Sequence, residues 1–205
     1  MLPQTLDEFP DNILCGCDEC GRGTLFGDVC AAAVVWPHEF APQNKEDAKN
    51  LDGIKDSKKM TAKQRAIASE FIKKHALAYG IAIVSNHEID STNILIATYK
   101  AMHLALDKIS VTYDRIAVDG NRFSKYRDKP HTCVVGGDNK VFQIAAASIL
   151  AKEYRDSQVI ELVKTQPELA VYKLDKNKGY GTKEHMNALR EHGITPYHRK
   201  SFIHI

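Results

Sequence analysis

The 205-residue sequence has one tryptophan, 8% aromatic residues and seven prolines, and its 28 lysines and arginines are almost balanced by 26 aspartates and glutamates. A net charge of +2 excludes a polycationic coat protein, though not a local basic surface. No apolar run approaches the ~20 residues that a membrane helix requires. The acidic start, Met-Leu-Pro-Gln-Thr-Leu-Asp-Glu-Phe, lacks the apolar stretch of an export signal. There is no low-complexity tract and no internal repeat. The five cysteines, Cys15, Cys17, Cys20, Cys30 and Cys133, are odd in number. Without an export signal they read as free thiols of a cytoplasmic protein rather than a disulfide framework. What is present is 43% hydrophobic residues, enough for one domain with a substantial core, which argues against disorder.

Apolar runs at residues 13–17 and 29–36 flank a Gly21-Arg22-Gly23 turn and predict two neighbouring, hairpin-like strands. Residues 37–52 are polar and read as a surface loop with at most a helical turn. Thr61 is a candidate N-cap for a helix with Ile67, Phe71 and Ile72 on one face. A strand follows at 78–85. Asp90 or Ser91 is then expected to cap a helix with apolar positions Ile94, Leu95, Thr98, Met102, Ala105 and Leu106. Short strands are predicted at 115–118 and 132–135, and a long helix at 141–163. A Gly/Lys-rich loop at 176–182 leads into a last helix at 183–191, which Gly193 ends. Strands first and helices alternating later predict an α/β or α+β domain with a mixed sheet, and a small helical appendage from about Glu168.

Three apolar runs end in acid: Asp18-Glu19, Asp119 and Asp138. Each acid alone reads equally as a cap or a turn residue. Jointly, at strand ends that converge, four carboxylates repel and call for divalent cations. All-oxygen donors select Mg²⁺ or Mn²⁺ over Zn²⁺. Two such ions, ~3.5–4 Å apart, suit phosphodiester hydrolysis. Gly21 and Gly23 let backbone approach a ligand, and Arg22 offers a forked cation for phosphate. Lys58, in Asp56-Ser57-Lys58-Lys59, sits in a polar patch that either touches phosphates or is simply solvated. Residues 173–205 hold seven basic and three acidic residues, with Tyr180 and Tyr197 among them, a composition that suits a nucleic-acid backbone or a solvated basic face. Cys15-x-Cys17-x-x-Cys20 lacks a local fourth ligand; Cys15 and Cys17 would share one face of a strand and pack.

Several stretches, in order, resemble the type 2 ribonuclease H family, and within it bacterial ribonuclease HII. They are Gly16-Cys17-Asp18-Glu19-Cys20-Gly21-Arg22-Gly23, Asp56-Ser57-Lys58-Lys59-Met60 and Ile89-Asp90-Ser91-Thr92-Asn93-Ile94-Leu95. Val118-Asp119-Gly120-Asn121, Gly137-Asp138, residues 144–152 with Arg155-Asp156, Lys178-Gly179-Tyr180-Gly181-Thr182 and His198-Arg199-Lys200-Ser201-Phe202 complete the set. The resemblance implies a ribonuclease H-like α/β fold, a five-stranded mixed sheet flanked by helices. It implies a catalytic domain at 1–167 and a helical, substrate-binding extension at 168–205. It implies cleavage of RNA in RNA–DNA hybrids and nicking 5′ of single ribonucleotides in duplex DNA, leaving 3′-hydroxyl and 5′-phosphate ends. Asp18, Glu19, Asp119 and Asp138 would hold two Mg²⁺ or Mn²⁺ ions, Gly21-Arg22-Gly23 would read the ribose 2′-hydroxyl, and Tyr180 would assist at the RNA–DNA junction. RNA primer removal and ribonucleotide excision repair are the implied roles.

Departures from the family pattern carry their own expectations. Asp28 adds negative charge near the turn and is expected to weaken phosphate binding or alter metal preference. Gly136 stands where lysine is common, which removes a cation, and Asn177 replaces a frequent histidine. The chain ends three residues after Phe202, so no C-terminal clamp-binding tail is expected, and no spare amphipathic stripe argues against a monomer. Two other readings stay open: a DNA nuclease of the same broad fold, and a non-catalytic nucleic-acid binder, which four acids without metal disfavour.

Overall fold

The computed structural model describes residues 2–55 and 57–204, so Asp56 of the Asp-Ser-Lys-Lys stretch lies outside the described residues. Strand β1 (Leu14–Cys20) pairs antiparallel with β2 (Val29–Val35), from Cys15 opposite Val35 to Cys20 opposite Cys30. After helices α1 (Lys45–Asp52) and α2 (Ala62–His75), β3 (Ala78–Val84) pairs antiparallel with β2. Helices α3 (Asn86–Ser91) and α4 (Ile94–Leu106) precede β4 (Arg115–Asp119), which runs parallel to β1, and β5 (His131–Val134), parallel to β4. Helices α5 (Phe142–Thr165), α6 (Leu174–Asn177) and α7 (Lys183–His192) complete the chain. The sheet order β3-β2-β1-β4-β5 is the mixed five-stranded sheet expected.

Helices cover both faces of this sheet, which is why β2 reads as an unbroken apolar run rather than an alternating one. Val29, Ala31, Ala33 and Val35 face α4, whereas Cys30, Ala32 and Val34 face α5 and α2. Cys15 and Cys17 pack on the α4 side with Ile116 and Val118, as two core thiols. Alternation then turns Leu14, Gly16 and Asp18 toward α5. A Cβ on Gly16 would lie 2.1 Å from the carbonyl carbon of Gln143, so only glycine lets α5 cross β1 this closely. A third apolar cluster joins Phe26, Val159, Leu169, Tyr172, Leu174 and Leu189. It seats the last 40 or so residues on the end of α5 and on the loop between β1 and β2, burial that favours docking by roughly 1.5–3 kcal/mol per large side chain.

Several local expectations change. β1 runs through Cys20, so Asp18 and Glu19 lie inside the strand, not beyond it. The 37–52 segment contains the helix α1, capped by Asn44, whose Oδ1 accepts from the Asp47 N–H at 2.8 Å. Thr61 does cap α2, in a reciprocal capping box with Gln64. The buried face is Ala68, Phe71 and Ile72, however, and Ile67, one residue or 100° from Ala68, is 46% exposed. Asn93 caps α4, not Asp90 or Ser91. Asp90 instead accepts from the Lys200 and Ser201 N–H groups, tying α3 to the C-terminal segment. Leu95 is exposed, and part of the 176–182 loop is the end of α6. Among the described residues no helix is long and apolar enough to cross a membrane.

Candidate active site

The parallel register sets Cys17 opposite Val118, so the residues that follow, Asp18 and Asp119, leave adjacent strands side by side and on the same face. Asp18 is buried between them and α5; its Oδ1 accepts the Glu19 N–H at 2.7 Å and its carboxylate also bonds Ser148. Beyond β5 the chain turns through Gly136, at φ +65°, into a single 3₁₀ turn, Gly137–Asn139. There the Gly137 N–H donates to Asp119 Oδ1 at 2.7 Å, and Asn139 Nδ2 donates to Asp138 Oδ1 at 2.9 Å. Gly136 is thus the left-handed residue of this turn, where a lysine would be strained. Glu19 projects to the other face of β1 and pairs with Arg22 at 3.4 Å.

Burial, then the Glu19 and Asp119 charges, push Asp18 well above the usual carboxylate range. Burial raises Glu19 as well, with Arg22 opposing and Asp119 adding. These acids feel one another, and their all-oxygen chemistry fits a hard divalent cation. Among the described residues, though, no three Asp, Glu, His or Cys side chains already form a coordination group. Asp119, Asp138 and Glu19 each bond a protein donor: the Gly137 N–H, Asn139 and Arg22.

Glu19 and Arg22 divide two clefts. One, of about 190 Å³, gathers Gly21, Gly23, Lys58, Ser148, Lys152 and Tyr180; the other, of about 410 Å³, gathers Asp119, Asn121, Arg122 and Tyr99. The turn, Lys58 and Tyr180, far apart in sequence, therefore meet. Tyr180 is half-exposed, with Lys152 Nζ 5.6 Å from its ring centroid, and Lys152 is held at 2.9 Å by Asp156 on the next turn of α5. Ser57 and Ser148 share a hydrogen bond of 3.0 Å, which anchors the Lys58 segment to α5.

The loop 21–28 is irregular but densely bonded. Buried Arg155 donates to Thr24 Oγ1 (2.9 Å) and to the carbonyls of Phe26 (2.8 Å), Asp28 (3.1 Å) and Lys178 (2.9 Å). Arg199, fully buried, donates to the carbonyls of Arg22 (3.0 Å) and Gly27 (2.8 Å), and burial together with Arg155 pushes it down to about 9. At Gly21, φ +90°, a Cβ would sit 2.2 Å from Arg155 Nε, so the turn needs glycine on both counts. Asp28 is not beside the acids: its Oδ1 accepts the Asn86 N–H at 3.1 Å, in a separate cleft with Ile83 and Tyr197. The extra charge expected at the site lies instead in this cleft, whose lining includes none of the four acids. Asn177 accepts the Gly179 N–H at 2.8 Å and donates to the Tyr172 carbonyl at 2.7 Å, shaping the turn before Tyr180.

Ser148, Lys152, Arg155 and Arg199 carried no site expectation from the sequence. The available signal was a polar stripe, 148, 152, 155 and 156, at helical spacing on an otherwise apolar α5.

A family model described as Ribonuclease HII matches residues 15–205. Ribonuclease HII of Bacteroides thetaiotaomicron is 50% identical over 192 residues, which is 94% of this chain and 90% of that one. Among solved structures, ribonuclease H2 from Pyrococcus horikoshii OT3 has a TM-score of 0.70 at 23% identity, covering 92% of each chain. Bst-RNase HIII, solved in complex with Mn²⁺, has a TM-score of 0.64 at 17% identity, covering 88% of this chain and 62% of that one. At these identities the two structures speak for the fold alone.

Proposed function

The chain belongs to the ribonuclease HII family, a ribonuclease H-type endoribonuclease of RNA–DNA hybrids, and from that premise we propose that it also nicks duplex DNA 5′ of a single embedded ribonucleotide, leaving 3′-hydroxyl and 5′-phosphate ends. The observation that carries this reading is the shared cleft of Gly21, Arg22, Gly23, Lys58 and Tyr180 beside Glu19. A nick at a single ribonucleotide needs the 2′-hydroxyl read at one position and a surface for the deoxyribose that follows it, and this cleft offers groups for both.

Asp18, Glu19, Asp119 and Asp138 would hold two divalent ions, Mg²⁺ or Mn²⁺. When bound, such ions lower the pKa of a water and stabilise charge on the departing 3′-oxygen. The residues of the chain do the rest. Gly21 and Arg22, with their carbonyls already held by Thr24 and Arg199, present a rigid backbone to the 2′-hydroxyl, the one group that distinguishes RNA from DNA here. Arg22, about half exposed and only loosely paired with Glu19, swings to a substrate phosphate, and Lys58 takes another. Tyr180 packs on the sugar that follows the ribonucleotide. Such an activity serves RNA primer removal and ribonucleotide excision repair, by a cytoplasmic monomer acting on hybrids and on ribonucleotide-bearing duplex DNA.

The test compares a duplex with one ribonucleotide, a continuous hybrid and an all-DNA duplex, each with Mg²⁺, Mn²⁺ or excess EDTA. One nick 5′ of the ribonucleotide, cut hybrid, intact DNA and no cleavage in EDTA are expected. Equal cutting of the all-DNA duplex would assign a DNA nuclease, and undiminished cleavage in EDTA would remove the metal role.

A further inference from the structure

Two fully buried imidazoles lie next to the Tyr180 turn. His185 and His198 face each other with Nε2 atoms 3.1 Å apart. Their outer partners decide where the protons are. The Tyr180 carbonyl, 3.0 Å from His185 Nδ1, can only accept, so His185 carries its proton on Nδ1 and presents a lone pair at Nε2. The Thr195 N–H, 3.0 Å from His198 Nδ1, can only donate, so His198 carries its proton on Nε2. The bonds form one directed line: Thr195 N–H to His198, His198 to His185, and His185 to the Tyr180 carbonyl. Burial pushes both rings below the ordinary histidine range, His198 to about 4 with His185 adding to the effect.

The segment the line ends on needs holding. Lys178 and Gly179 are both left-handed, at φ +53° and +86°, a run that costs a lysine energy. On the other side of the turn the Tyr180 N–H donates to the Asn177 carbonyl at 3.0 Å. The Tyr180 carbonyl accepts a second bond, from the Thr182 N–H at 2.8 Å, at the start of α7. The side chain itself is half-exposed in the cleft, so its backbone is what aims it.

We infer that His185 is a positioning residue for Tyr180 and the working end of a neutral two-ring strut: its Nδ1 proton fixes the backbone from which the tyrosine meets the RNA–DNA junction, and His198 holds His185 in the tautomer that puts the proton there, a help that an amide donor does not need. The inference rests on the junction role proposed for Tyr180. Replacing His185 separates the two ends of the strut. In His185→Asn the amide nitrogen falls near Nδ1 and keeps the bond to Tyr180; in His185→Gln the amide reaches Nε2 and keeps only His198. The readout is the ratio of kcat/KM on a single-ribonucleotide duplex to that on a continuous hybrid, with Tm measured alongside and Tyr180→Ala in parallel. His185→Gln should lower the ratio about tenfold, toward the Tyr180→Ala value, and His185→Asn should leave it within about twofold. Gln and Asn variants that move the ratio alike overturn the positioning role even where Tyr180→Ala lowers it. An unchanged ratio in Tyr180→Ala overturns the junction reading itself, and the strut's function with it. On the unmodified protein, ¹⁵N NMR should find His185 protonated at Nδ1 and His198 at Nε2; the opposite tautomers overturn the line.

Discussion

The two sides of the cleft are built on opposite principles. Asp18, Glu19 and Asp119 stand on the most regular backbone in the molecule, two central strands, yet burial and the neighbouring carboxylates raise Asp18 and Glu19 above the usual carboxylate range. The loop 21–28 has no regular structure, yet Arg155 and Arg199 bond the carbonyls of Arg22, Phe26, Gly27 and Asp28. Electrostatic strain is tolerated where the scaffold is stiff. Stiffness is supplied by buried cations where there is no scaffold.

The largest break in this comparison is on the acid side. Asp119→Asn keeps an oxygen to accept the Gly137 N–H, so the fold should persist, while cleavage should fall by about 10³-fold or more, equivalent to several kcal/mol of lost transition-state stabilisation. A circular dichroism spectrum with parental activity would remove Asp119 from the machinery. The opposite break is Arg155→Met. It leaves three backbone carbonyls without their buried donor, and urea unfolding should show a loss of about 3–5 kcal/mol. A loss below 1 kcal/mol would mean water replaces the guanidinium and the loop is not held as argued.

The smallest effect sharpens the contrast, because it should be a gain. Asp18 has a raised folded-state pKa, so the folded chain binds that proton more tightly than the unfolded one. Its contribution is present below the unfolded pKa of about 4 and is lost as pH rises toward the folded value. At neutral pH and without metal, Asp18→Asn should therefore raise Tm by about 2–4 °C per kcal/mol of relieved repulsion, and the gain should vanish near pH 4. With saturating Mg²⁺ or Mn²⁺ the parental chain should gain stability and the variant should not. Calorimetry at two pH values reads all of this; a variant less stable than the parent at pH 7 would mean the acids are not in conflict.

The strands, their apolar character and the acids near their ends are written in local pattern. Alternation and helical period act between residues a few positions apart, and Asp18, Glu19, Asp119 and Asp138 each follow or end such a run. Even the pairing of Asp18 with Asp119 follows once two strands run parallel and in register. The small errors, such as Ile67 outward and Asn93 as the cap of α4, come where local period is right but the covering neighbour is set elsewhere.

What no local window holds is the support of the reading turn. Arg155 reaches carbonyls 127 and 129 residues away, and Arg199 reaches one at 177. Asp28, close to the turn in sequence, is directed by the fold onto the Asn86 N–H, 58 residues on, in a cleft lined by none of the four acids. Periodicity records which face of an element is apolar. It carries no record of which distant carbonyl a buried guanidinium or imidazole will meet, because that depends on how complete elements pack.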